Sequence, residues 1–191
     1  MEKDSLIYFQ SGKLVASSGN ARVYKMEGKL YLEIGKGHTL WTLEDEMPDY
    51  IDQLKDYPRG NVLEIGLGLG VVSRYLLSFP KVNNLTTIEI NADVIAVHEK
   101  IKESDRHYKF DYNPNRHLIL NADGLAYAYQ TNKKYDFIFI DCYDRIDEET
   151  LPIISDMVTA CSRILKKDGR MMGWLDKYTS EPYYSTFINL F

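Results

Sequence analysis

A chain of 191 residues with 45% hydrophobic content is long enough to bury a complete core, and such a length implies one domain with a small appendage. The net charge of −5, with Lys and Arg scattered, argues against a nucleic-acid or anionic-membrane surface and favours a neutral or cationic small molecule as partner. Two cysteines without metal-ligand spacing, no apolar leader in MEKDSLIYFQ and no long uncharged apolar run argue against metal, disulfides and a membrane span; the expectation is a cytoplasmic protein with two reduced, mostly buried thiols.

The first forty-odd residues alternate apolar and polar side chains in SLIYFQ, KLVASS, ARVYKM and KLYLEI, separated by Ser11-Gly12, Gly19-Asn20 and Glu27-Gly28. This period of two predicts a small antiparallel sheet, and residues 1–43 are assigned to it as an amino-terminal subdomain. From about Glu44 the spacing of Met47, Ile51 and Leu54 is helical until Pro58 and Gly60, so a second unit spans 44–191. It reads NVLEIG (strand), VVSRYLLSF (helix), LTTIEI (strand), ADVIAVHEKIKES (helix), HLILNA (strand), GLAYAYQ (helix), YDFIFID (strand), a helix from about Glu148 to Lys166, and RMMGWL (strand).

Strict alternation makes the fold class α/β, with a Rossmann-like parallel sheet. The insertion SDRHYKFDYNPNR, residues 104–116, is a solvated loop or a flap over the cleft. After RMMGWL the edge of the sheet needs cover, and two covers are available. The tail YYSTFINLF can return as an antiparallel strand with Phe187, Leu190 and Phe191 partly buried, which is favoured, or a second copy can pair there in a homodimer.

Gly66, Gly68 and Gly70 follow the first strand of the parallel sheet, where glycine lets backbone approach a ligand beyond the carboxyl ends of the strands. G-x-G-x-G followed by Val71 misses a dinucleotide fingerprint by one residue, so a nicotinamide oxidoreductase is the weaker reading. Glu89 ends the next strand, where a carboxylate can accept hydrogen bonds from both hydroxyls of a ribose; the ligand is read as a nucleoside.

With EIGLGLG and that strand-ending acid, the chain resembles class I S-adenosylmethionine-dependent transferases. NPNRHLILNADGLAY and YDFIFIDCYD narrow the resemblance to the spermidine synthase, or polyamine aminopropyltransferase, branch, over about Asn61 to Leu175. The resemblance implies that Glu64 and the glycine turn hold the amino-acid end of S-adenosylmethionine or its decarboxylated form, that Glu89 binds the ribose, and that Asp123 binds the adenine amino group with Gly124 allowing the approach. Ile90 and Asp141 are placed with these cofactor-binding positions. Asp141 also matches the acid that orients and deprotonates an acceptor amine, Asp144 its amine-binding companion, and Tyr143 lies between them as a third catalytic candidate. No metal is implied.

Glu64, Glu89, Asp123, Asp141 and Asp144 all fall at or just beyond carboxyl ends of strands, so one rim would carry up to five acids and attract cations. Like-charge neighbours raise a carboxyl pKa, which suits Asp141 to accept an amine proton. Plainer roles stand beside these: Asp123-Gly124 as a turn pair, Asp144 and Asp147 as helix caps, the four histidines as surface or strand residues, and Trp41, Tyr50 and Tyr143 as packing.

Leu69 occupies the place between the last two glycines where the aminopropyltransferases carry an acid, M-P-D-Y replaces their Tyr-His-Glu, and Arg145 replaces a proline. On Leu69, the favoured activity is methyl transfer from S-adenosylmethionine to a small, amine-bearing acceptor. Aminopropyl transfer from the decarboxylated form is the alternative, and a catalytically silent adenosyl-binding module is another.

Overall fold

The computed structural model describes residues 12–35, 38–41, 54, 57–104, 114–175 and 179–191. Strands β1 (Lys13–Ser18), β2 (Ala21–Met26), β3 (Lys29–Ile34) and β4 (His38–Trp41) form an antiparallel sheet in chain order. Glu27 and Gly28 have φ of 50° and 83°, the two-residue turn whose twist matches a hairpin. β4 goes beyond the sequence reading, because HTLW is too short for an alternating pattern to declare itself. SLIYFQ lies outside the described residues.

The second sheet is parallel and has the order β7-β6-β5-β8-β9, with β5 (Gly60–Ile65), β6 (Val82–Glu89), β7 (His117–Asn121), β8 (Tyr135–Ile140) and β9 (Leu165–Gly173). The chain works outward from β5 to β7 and then returns to β8, so the crevice of a doubly wound sheet opens between β5 and β8. Period-two alternation lets YDFIFI serve both faces. Phe137 and Phe139 pack with Val72, Leu76 and Leu77 of α1 (Val71–Ser78), while Ile138 and Ile140 pack with Ile154, Met157 and Cys161. The latter three belong to α4 (Thr150–Ile164), which shares that face with α3 (Gly124–Gln130).

The small sheet is joined to the large one by a shared apolar cluster. Ala16, Ala21, Val23, Leu30 and Leu32 pack with Val94, Val97 and Ile101 of α2 (Ala92–Ser104), and with Leu69 of the glycine turn. Asp93 fastens the β1–β2 turn to the start of α2, accepting hydrogen bonds from Ser18 Oγ and the Asn20 amide, each at 3.0 Å.

Four expectations change. β9 starts at Leu165, directly after α4, so Leu165 and Lys166 leave the expected helix and join, with the polar stretch before RMMGWL, an edge strand. The tail is a helix, α5 (Tyr183–Ile188), not an antiparallel strand. Tyr183, Phe187 and Leu190 share the i, i+4, i+7 spacing of one helical face and pack on the β8–α4 core; Phe187 is 2% exposed, Leu190 partly buried, and Phe191 remains 41% exposed. Cys161 is buried but Cys142 is exposed. His98 is buried within α2 rather than lying on the surface or in a strand.

The boundary at residues 43 and 44, Met47, Tyr50, Ile51 and most of the 104–116 insertion lie outside the described residues; Leu54 is buried against α1. Among the described residues, no helix is long and apolar enough to cross a membrane.

Candidate functional site

Backbone hydrogen bonds gather three strand ends around the glycine turn. Gly66 N donates to Ile88 O at 2.9 Å, and Asp141 N donates to Ile65 O at 2.8 Å. Two of the three glycines are then fixed by packing. A Cβ on Gly66 would lie 1.9 Å from the Asp141 carbonyl oxygen, and one on Gly70 would lie 2.2 Å from the His98 ring. Gly68 differs: its φ is +51°, and no described residue stands within 4 Å of where its Cβ would be. Among the described residues it is the glycine of the turn with open space over it, the condition for backbone to approach a ligand.

Glu89 stands beside that space with both carboxylate oxygens already aimed. Oε2 accepts from Leu67 N at 3.0 Å and Oε1 from Asn91 N at 2.8 Å. Each oxygen keeps a lone pair for a further donor, which is what a pair of ribose hydroxyls needs. Ile90, next in the chain, is 68% exposed, an apolar side chain held in solvent beside an acid. Open backbone at Gly68, a preset carboxylate and an exposed apolar neighbour together suit a nucleoside.

Glu64 sits differently from the other acids. It is 1% exposed, and its Oε2 accepts from Ser73 Oγ and, at 2.6 Å, from Thr87 Oγ. Loss of water pushes its carboxyl up to about 8 against the pull of those two donors, with Asp141 and Glu89 adding like-charge repulsion. The structure thus puts Glu64 beneath the turn rather than on the rim. Thr87, Ser73 and His117, whose Nε2 is 2.7 Å from Thr87 Oγ, were not singled out by sequence. The available signal was the acid itself, since a carboxyl inside an apolar strand requires partners from its neighbours.

Asp141 follows β8 and is partly buried, and loss of water pushes its carboxyl up to about 7. Tyr143 turns back into the protein. Its hydroxyl donates to Trp174 O at 2.6 Å, and its ring packs against Trp174 and Phe187, so it ties the post-β8 loop to the end of β9 and to the tail helix. Asp144 is exposed, whereas Asp147 accepts from the amides of Glu149 and Thr150, each at 3.0 Å, and so caps the start of α4. Arg145 pairs with Asp147 at 2.6 Å and with Glu149 at 3.3 Å, occupying its cation within the same cap.

Asp123 is the N-cap of α3, with Oδ1 accepting from Ala126 N at 2.8 Å. Gly124 has a packing reason of its own, because a Cβ there would lie 2.5 Å from Ile65 Cγ2. Asp123, Glu89 and Asp141 nonetheless share the carboxyl-end side of β7, β6 and β8.

Leu69 removes the basis of the methyl-transfer preference. Its side chain is 2% exposed and packs with Val94, Val97 and the small sheet, away from the open space at Gly68. Position 69 therefore reports on subdomain packing rather than on the group transferred.

Comparisons with known proteins bear on the family and the fold. The chain is 32% identical over 113 residues to the polyamine aminopropyltransferase of Prochlorococcus marinus (strain MIT 9312), covering 58% of this chain and 39% of that protein. It is 28% identical over 124 residues to the polyamine aminopropyltransferase of Erwinia tasmaniensis, covering 65% of this chain and 43% of the relative. The chain therefore matches about two fifths of the length of these curated relatives. In fold it is similar to spermidine synthase from Thermotoga maritima, with a TM-score of 0.68 and 20% identity over 93% of this chain and 62% of that one. The model of the spermine/spermidine synthase domain matches residues 52–189, spanning the glycine turn, Glu89, Asp141 and the tail helix, and on that match the chain belongs to the spermine/spermidine synthase domain family.

Proposed function

We propose that this chain transfers an aminopropyl group from decarboxylated S-adenosylmethionine to a small amine. The observation that carries this reading within the family is the partly buried Asp141 beside the preset Glu89 and the open Gly68. Glu89 would hold the ribose, Ile90 would lie against the base, and the backbone at Gly68 would allow the donor to approach. When bound, the donor supplies a sulfonium-activated carbon. Asp141 accepts a proton from the acceptor amine; the freed nitrogen pair forms the N–C bond as the C–S bond breaks, and that pair stays on sulfur in the neutral thioether. Asp144, exposed on the same loop, would hold the far cationic end of a diamine.

The test is product analysis by mass spectrometry with a diamine acceptor and each donor in parallel. Aminopropylated amine and methylthioadenosine should form with the decarboxylated donor. A methylated amine from ordinary S-adenosylmethionine, or no product from either, would overturn the reading. Independently, Glu89→Ala should weaken methylthioadenosine binding by roughly 2–4 kcal/mol, because it removes both ribose contacts. Calorimetry measures this directly, and unchanged affinity would show that the strand-end acid touches no ligand.

A further inference from the structure

The buried carboxyl of Glu64 has no part in the chemistry just described, yet it lies behind the turn where a cation is proposed to bind. Every element packed against it presents a group. Ser73 of α1 and Thr87 of β6 donate to Oε2, Glu89 at the end of β6 and Asp141 after β8 are the neighbouring charges, and His117 of β7 reaches it through Thr87. Arg74, next to Ser73, is turned instead to the carbonyls of Leu69 and Gly70. Two acids on the rim near a third that is sealed from water beneath the turn favour the neutral form at Glu64. Its carboxyl is accordingly pushed up to about 8.

We propose that Glu64 is protonated in the free protein, releases its proton to solvent when a sulfonium cation enters the cleft, and signals the change to His117 by reversal of the Thr87 hydroxyl. This rests on the functional reading above. With Glu64 neutral, its O–H can donate to Thr87 Oγ, which then donates to His117 Nε2, so the imidazole proton sits on Nδ1. With Glu64 ionised, Thr87 Oγ donates to the carboxylate and accepts from His117, so the proton sits on Nε2. A negative charge thus appears behind the turn only while a cation is in front of it. The neutral thioether product evokes no such charge, which favours exchange of product for donor.

The experiment is calorimetry at pH 7 in two buffers of different ionisation enthalpy, with decarboxylated S-adenosylmethionine and, separately, methylthioadenosine. Wild-type protein should release at least about half a proton per decarboxylated donor, since an opposite charge lowers a nearby carboxyl by a unit or more, and close to none with methylthioadenosine. Asp141, near its own midpoint at this pH, adds to the release, so the share of Glu64 is read without it: Asp141→Asn should still release about half a proton with the donor, E64Q should release less than the wild type, and the double variant close to none. Nitrogen NMR of His117 gives a second measurement that needs no variant: its tautomer should change with the cationic ligand and not with the neutral one. Equal release by E64Q, or binding of both ligands with no release and no tautomer change, overturns the inference and leaves the functional reading standing. Failure of either ligand to bind removes both.

Discussion

Asp141→Asn should lower turnover by roughly 10²–10⁴-fold while leaving affinity for methylthioadenosine close to that of the wild type. The substitution keeps the shape of a side chain at the end of β8 and removes its capacity to take a proton. The strand end itself is held by the backbone bond from Asp141 N to Ile65 O, which the substitution does not touch. Because loss of water pushes the Asp141 carboxyl up to about 7, the ionised base forms as pH rises, and the wild-type rate should climb through that value and level off above it. The same shift acts on stability in the opposite sense. A folded value above the ordinary 3.8 means that the folded state binds more protons; the contribution is complete below about pH 4 and is lost as pH rises through about 7. Asn should remove both dependences. Steady-state kinetics across pH, together with calorimetry, check this, and parallel loss of turnover and binding would make Asp141 a structural acid.

What could be read from sequence depended on whether a residue's role is set by its own neighbours along the chain. GLAYAYQ and VVSRYLLS carry their periodicity and boundaries within themselves, and both are helices where expected. The role of Leu69 is set by Val94, Val97 and the small sheet, which the chain brings to it from both directions. A turn residue's direction is a tertiary property. The tail misled in another way: the aromatic and β-branched composition of YYSTFINLF suggested a strand, while the i, i+4, i+7 spacing of Tyr183, Phe187 and Leu190 was helical. The core it covers settled the matter through spacing, since Phe187 must reach the space beside Tyr143 and Gly173.

The acids divide along the same line. The position of Glu89 was legible because it closes a strand beside the glycine turn, and its two backbone donors come from the adjoining segments. Glu64 was not, because a period-two pattern gives its face but not the depth at which the helix α1 seals it. Ser73 and Thr87 complete that burial and look unremarkable in the sequence. Tyr143 and Asp147 show the converse: both lie within the loop that carries Asp141, and both hold that loop in place through a carbonyl or a helix start.

Gly66 and Gly68 should separate cleanly on substitution. Gly66→Ala places a methyl 1.9 Å from a backbone oxygen at a φ of +100°, and the oxygen belongs to the residue whose amide closes the β5–β8 ladder. No side-chain rotation relieves that contact. The turn must move or the ladder must open, and the expected cost is about 3 kcal/mol or more, read as a large fall in melting temperature. Gly68→Ala meets no described residue within 4 Å, and its φ of +51° lies in the left-handed region at a cost of only about 1 kcal/mol. That variant should therefore fold. Its methyl instead occupies the space over the turn, so affinity for methylthioadenosine should fall by at least tenfold, a change of about 1.4 kcal/mol or more. Thermal melting and calorimetry on the two variants test the assignment together. If Gly68→Ala melts near the wild type and binds as well as it does, the open space at Gly68 faces bulk solvent, and the ligand lies elsewhere along the strand ends.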